Sequence, residues 1–118
     1  MDKQQICPRF EKAVSILSKR WTALIIFQLL KGAQRFCQIE SGIGISGRVL
    51  SDHLKMLEKE GIVSRKVYDE TPVRIEYSLT EKGRDLEATL REIQKWAEKW
   101  VDPPDEGADS ARNISMEK

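Results

Sequence analysis

The sequence is short of the side chains on which most catalysis and metal binding depend. One histidine, His53, and two cysteines, Cys7 and Cys37, stand among 118 residues. A zinc knuckle needs more ligands than that, and neither cysteine belongs to a C-x-x-C pair, so no metal and no other cofactor is expected. His53 reads as a packing residue or a backbone contact. No G-x-S-x-G, H-E-x-x-H or G-x-x-x-x-G-K-[ST] pattern occurs. The run Gly42-Ile43-Gly44-Ile45-Ser46-Gly47 holds a G-x-G without the third glycine or the preceding strand of a dinucleotide site, so it reads as a turn. These absences predict that the chain is not an enzyme. Long apolar runs are missing too. The longest, Ala23 to Phe27, has five residues, against roughly 18 to 20 for a bilayer span. Met1-Asp2-Lys3-Gln4-Gln5 leads into no apolar stretch, which predicts a cytoplasmic chain without membrane contact. There a structural disulfide is not expected, and each thiol is either reactive or merely buried.

Charge of one sign is lacking as well: 20 Lys and Arg face 19 Asp and Glu, a formal net charge of +1. The balance conceals a division. Residues 102–118 carry five acidic groups against two basic ones, and residues 1–101 carry 18 basic against 14 acidic. The length suits one domain, expected over 1–101, followed by an acidic disordered tail over 102–118. Two copies of such a domain would present a moderately basic surface, adequate for neutralising several phosphates.

What is present is a sequence of helical and strand patterns. Phe10, Ala13, Val14 and Leu17 share one helical face. Ser18 offers a cap for a second helix through Trp21, Leu24, Ile25 and Leu29 to Gly32, apolar on several sides. Phe36 and Ile39 mark a short third helix over 35–41, broken by Gly42 and Gly44. Ser46 can cap a fourth, ending at Gly61, with Leu50, Leu54 and Leu57 as its core stripe and Arg48, Asp52, Lys55 and Lys59 opposite. Two stretches follow, 62–68 and 73–79, joined by Asp69-Glu70-Thr71-Pro72. Val73, Ile75, Tyr77 and Leu79 alternate with polar residues in the second. A hairpin after a helix-turn-helix is a wing, so the predicted fold is α+β, a winged helix-turn-helix. Thr80 can cap a last helix over 81–101, where Leu86, Leu90, Ile93, Ala97 and Trp100 recur at spacings of 4, 3, 4 and 3. That period of about 3.5 suits a helix–helix seam, with the first helix as candidate neighbour.

The ordered string Cys7-Pro8, Ser18-Lys19-Arg20-Trp21, Arg35-Phe36, Leu50, Leu54, Leu57-Glu58, Gly61-Ile62-Val63, Arg65, Tyr68, Pro72-Val73-Arg74-Ile75-Glu76-Tyr77, Leu79-Thr80 and Gly83 resembles the HxlR-type branch of the MarR-like transcriptional regulators, over about residues 7–101. One departure is Ser18, where many members have glycine. The resemblance implies a homodimeric DNA-binding protein in which the helix from Ser46 enters the major groove and the hairpin touches flanking backbone. It also implies dimerisation through the first and last helices, on Phe10, Val14, Leu86, Leu90, Ile93, Trp96, Ala97 and Trp100. Cys7-Pro8 is similar to the start of the family's thiol-sensing repressors, in which a quinone or oxidant modifies the cysteine and repression is lost. A disulfide switch would then join Cys7 to its dimer mate or to Cys37 of the partner subunit.

The residues give that implication a physical basis. Pro8 suits the first helical position, which puts Cys7 at the N-cap, where backbone N–H groups and the helix dipole favour a thiolate, with Lys3 and Arg9 nearby. Cys37, between Phe36 and Ile39, reads first as a small buried hydrophobe and second as another redox site. The expected partner is double-stranded DNA, read as an inverted repeat, through Arg35, Ser46, Gly47, Arg48, Ser51, Asp52, Lys55, Arg65, Lys66 and Arg74. Arg48 suits bidentate guanine recognition and Lys55 suits phosphate. Asp52 suits a cytosine amine or the orientation of Arg48. The three tryptophans read as core and interface aromatics. A regulator answering another ligand, with Cys7 incidental, and a protein–protein adaptor are the competing expectations.

Overall fold

The computed structural model describes residues 6–104. Lys3 and, of the expected tail, residues 105–118 lie outside the described residues. The order of elements is α1 (Pro8–Leu17), α2 (Arg20–Leu29), α3 (Phe36–Ile43), α4 (Gly47–Lys59), β1 (Val63–Tyr68), β2 (Arg74–Leu79), α5 (Glu81–Arg84) and α6 (Glu87–Trp100).

The apolar surround of α2 makes it the centre. Ile25, Ile26 and Leu29 are buried there, and the helix packs against α1, α3, α4, α6 and β2. Leu50, Leu54 and Leu57 bring one stripe of α4 into the same core, joined by Ile39, Ile45, Ile62, Val63, Leu79 and Leu90. α1 has no buried residue and lies against the outside of α2.

The turn between α3 and α4 is set by Gly44, whose φ of 69° is left-handed backbone that a side chain would strain. Two residues on, the Ser46 hydroxyl accepts the Val49 N–H at 3.3 Å and caps α4. α4 ends on Gly61, with Gly61 N–H bonded to Glu58 O and Ile62 N–H to Leu57 O, the paired closure of a Schellman motif. That closure turns the chain into the antiparallel hairpin, registered from Val63 opposite Leu79 to Tyr68 opposite Arg74. Gln34 adds an isolated antiparallel bridge on the other side of β2 through a reciprocal backbone pair with Tyr77, at 2.9 and 2.8 Å.

Several boundaries differ from the sequence expectation. Ser18 ends α1 instead of starting α2: its backbone is still helical and its N–H bonds Val14 O, whereas the extended N-cap of α2 is Lys19. Gly42 lies within α3, which closes only at Gly44. Val73 stands exposed outside the ladder, before β2 begins. The single last helix expected over 81–101 is two helices. At their junction the Leu86 N–H bonds Gly83 O, three residues back, which tightens the turn and separates α5 from α6. α6 rests on α2, and the end of α1 meets the α5–α6 junction around a small apolar hollow lined by Ala13, Ile16, Leu17, Ile62, Lys82 and Leu86.

Candidate nucleic-acid interface and thiol positions

Because Leu50, Leu54 and Leu57 fix one side of α4 in the core, Arg48, Asp52, Lys55 and Lys59 are all exposed on the other. Ser51, half-buried, sits between the two faces. At the inner edge of this face lies a hollow of about 360 Å³ lined by Ser51, Leu54, Lys55, Glu58, Arg65 and Tyr77. The fold thus brings Lys55 of α4 and Arg65 of β1 to one depression. Two cations at a concave, partly apolar wall suit a phosphate oxygen. Sequence reasoning missed Glu58 and Tyr77 as neighbours of this hollow, because the strand register that places Tyr77 opposite Arg65 cannot be counted from spacing within one element.

Among the described residues no ion pair engages Arg48, Lys55 or Arg65, so the pairing of Arg48 with Asp52, one of two expected roles for Asp52, is not formed. Gly47 opens α4 directly after its Ser46 cap. An exposed guanidinium in the first turn can present two parallel N–H groups to a guanine edge. Arg48→Ala is therefore expected to weaken operator binding by about 1–3 kcal/mol per half-site and to relax discrimination at one base pair, whereas Lys55→Ala should weaken all duplexes alike. Competition binding with single-base operator variants checks this.

In the wing, Arg74, one of the predicted DNA contacts, has its guanidinium turned into the hairpin, bonded to Glu70 at 2.8 Å and to Glu76 through a second nitrogen at 2.6 Å, and stacked 3.8 Å from the Tyr68 ring centroid. The Arg74 bond holds the Glu70 carboxyl below the usual carboxylate range, and the charge of Arg35 adds to the effect. Arg35, exposed at the N-cap of α3, so acts electrostatically on the wing. Lys66 is exposed, its Nζ 5.0 Å from the same Tyr68 ring.

Both thiols are exposed. Cys7 is the N-cap of α1, with Pro8 at the first helical position and the Glu11 N–H bonded to Cys7 O at 2.9 Å. Cys37 does not take the buried position expected of it. Phe36 and Ile39 turn one side of α3 to the core, and a step of about 100° per residue carries Cys37 outward. His53 directs Nδ1 to Val49 O at 3.0 Å, a backbone contact that places the ring proton on that nitrogen. Among the described residues no three His, Cys, Asp or Glu side chains converge where a metal could sit, and no helix is long and apolar enough to cross a membrane.

A second surface is apolar. Phe10 and Val14 of α1 and Ile93, Trp96 and Trp100 of α6 are exposed in the protomer, Trp96 at 61% and Trp100 at 65%. Ala97 is half-buried between them. Leu90 is 5% exposed and Leu86, half-buried, packs on the core, so the first part of the predicted seam is largely covered within the chain itself. The physical reason is the contact of α6 with α2, which draws the start of the helix inward and leaves its end open. Leu24 of α2, 45% exposed, is an apolar surface residue that helical spacing alone does not separate from the core.

A helix-turn-helix with a charged outer helix face, followed by a wing, defines a winged-helix DNA-binding transcriptional regulator. The family described as HxlR-like helix-turn-helix matches residues 16–105, and the chain belongs to it. The family is one of transcriptional regulators and not of enzymes. The chain is 64% identical to the uncharacterized HTH-type transcriptional regulator YvaP of Bacillus subtilis (strain 168), over 87% of this chain and 96% of that protein. It is similar to the reduced form of the transcriptional regulator YodB from B. subtilis, with a TM-score of 0.76 and 46% identity over 86% of this chain and all of that one. The quinone-bound form of YodB matches with a TM-score of 0.71 and 43% identity, over 80% of this chain and 100% of that one.

Proposed function

We propose that the protein is a homodimeric repressor that leaves its operator when Cys7 reacts with a quinone or another oxidant. The observation that carries this reading is the place of Cys7. It is an exposed thiol at the N-cap of a helix with no buried residue, and that helix presents Phe10 and Val14 to the apolar surface a second copy would cover. Chemistry at the sulfur therefore acts on the element that joins the copies, and at the end of α1 far from the half-buried Ile16 and Leu17 that pack on the core.

Two routes fit the thiols. Addition of the Cys7 sulfur to a quinone ring carbon forms one C–S bond, and the thiol proton passes to the ring, leaving a hydroquinone thioether. Alternatively two thiols lose two protons and two electrons to an oxidant and form a disulfide between subunits, Cys7 to Cys7 or Cys7 to Cys37 of the partner subunit. The quinone-bound form of YodB supports the first, and the exposure of Cys37 supports the availability of the second. Either product changes the packing of α1 in the dimer. Two recognition helices must lie about 34 Å apart to enter successive major grooves, so a rotation of the protomers releases DNA.

Mobility-shift titration on the protein's own promoter, with and without a quinone or diamide, tests this. Wild type is expected to release the operator under oxidant and Cys7→Ser to retain it. Wild-type binding that oxidant leaves unchanged sinks the switch, and a Cys7→Ser protein that still releases points to Cys37 or to a different inducing ligand. On a non-reducing gel, a covalent dimer lost in Cys7→Ser and kept in Cys37→Ser assigns the link to Cys7 with Cys7. Duplex affinity with no salt dependence would favour the adaptor reading instead.

A further inference from the structure

The turn end of the wing is built as a charge cluster whose sign runs against DNA. Arg74 and Tyr68 form the last rung of the ladder. The Arg74 side chain donates from Nε to Glu70 Oε1 at 3.3 Å, from Nη2 to Glu70 Oε2 at 2.8 Å and from Nη1 to Glu76 Oε2 at 2.6 Å. Every guanidinium nitrogen thus meets a carboxylate, and one ring face lies beneath the group. The Glu70 pair is a fork on a fork, the geometry in which arginine otherwise grips a phosphate. The two carboxylates outnumber the guanidinium, and Asp69 beside them enters no ion pair among the described residues. The two acids differ in setting: the Glu70 side chain is 49% exposed and that of Glu76 only 24%.

We infer that Glu70 is a phosphate mimic that occupies the Nε/Nη2 edge of Arg74 and keeps the wing from gripping the DNA backbone. Glu76 and Tyr68 hold the guanidinium in place, so the edge is preorganised but filled. The wing then adds no phosphate contact through Arg74, and binding depends more on α4, where sequence is read. Phosphate contacts carry no sequence information, so withholding one lowers affinity for random and operator DNA alike. The ratio between the two is unchanged, and what falls is the absolute affinity and its dependence on salt. Glu70 on this account sets the wing's affinity for the DNA backbone, and Arg74 is the phosphate-binding group that it occupies. The inference rests on the reading of the wing as lying along the duplex.

The test is the salt dependence of duplex binding by the full-length protein, with an operator and a random duplex. Each neutralised phosphate adds about 0.9 to the slope of log K against log salt. Glu70→Gln keeps the side-chain shape and removes the charge that excludes phosphate. Its slope is expected to steepen by about 2 per dimer, one contact per wing, with both duplexes bound about tenfold more tightly near 0.15 M salt. Arg74→Gln alone should leave the wild-type slope unchanged, and added to Glu70→Gln it should cancel the gain. Asp69→Asn removes a neighbouring charge without touching Arg74 and should change the slope by less than about half a unit. An unchanged slope in Glu70→Gln overturns the inference, as does an equal gain in Asp69→Asn, which would make the effect one of bulk charge. A lower slope in Arg74→Gln overturns it too, because Arg74 would already be on phosphate. Wild type with no salt-dependent duplex binding overturns the DNA reading itself, so the two failures are distinct.

Discussion

Trp96→Glu is expected to convert the protein to monomers and to abolish operator binding while leaving the protomer's helical content intact. Trp96 is 61% exposed on α6, next to Ile93 and Trp100, and the three make an apolar strip that the protomer itself leaves open. With Thr89 and Glu92, Ile93 and Trp96 line a shallow hollow of about 500 Å³ into which a neighbouring side chain could pack. Burying the remaining surface of a tryptophan contributes about 3 kcal/mol. A two-fold interface uses the residue twice, so the loss is about 6 kcal/mol, or about four orders of magnitude in the dimer dissociation constant. The buried carboxylates add to it. Sedimentation at micromolar concentration and a mobility shift on a two-half-site operator measure the two consequences. A dimer that persists in Trp96→Glu would remove α6 from the interface.

Gly83→Ala is expected to destabilise the fold by about 3 kcal/mol, at the upper end for overpacking. A Cβ built on Gly83 would lie 2.4 Å from the main-chain oxygen of Ile62, with Leu79 Cδ2 at 3.1 Å and Ile62 Cγ2 at 3.2 Å. The backbone oxygen cannot swing aside as a side chain would, because it accepts both the Thr80 N–H and the Thr80 hydroxyl. Relief would require α5 to move away from the start of β1 and to break the closure that aims α6. A melting temperature lower by roughly 12 °C or more is the expected result at matched protein concentration. Gly42→Ala is the contrasting case. The atom its Cβ would strike, 2.4 Å away, is the end of the Gln28 side chain, which can rotate at the expense of its bond to Gln34. A Gly83→Ala melt as stable as that of Gly42→Ala would contradict the close approach.

Much of the fold was legible because local signals agreed. Ser46 before a leucine stripe at i, i+4 and i+7, then Gly61, marks the bounds of α4 and divides its faces, and the structure keeps both. The alternation of Ile75, Tyr77 and Leu79 marks β2 in the same way. What failed was whatever depended on a partner distant in sequence. The last helix has one apolar period, but the period says only that a face is apolar and not what covers it. Leu86 and Leu90 turned to the protomer's own core, and Ile93, Trp96 and Trp100 did not. Two apolar neighbours suggest burial for Cys37, but adjacent helical residues point about 100° apart, and the packing of α3 leaves it exposed. Arg74 was legible as a cation near the wing tip. Its neutralisation was not, since Glu70 is four residues away across a turn rather than along a helix, and Glu76 is two residues along a strand.

The sequence by itself determined the order of elements, the face of α4 that stays in water, the N-cap position of Cys7 and the family. These follow from short-range backbone preference and from the periodicity of apolar side chains, which act within a few residues. Tertiary structure alone decided which cations stand outside ion pairs among the described residues, which thiols are exposed and which apolar residues the fold leaves uncovered. Those depend on distances between elements far apart in the chain, which only the packing of α2 at the centre of the domain sets.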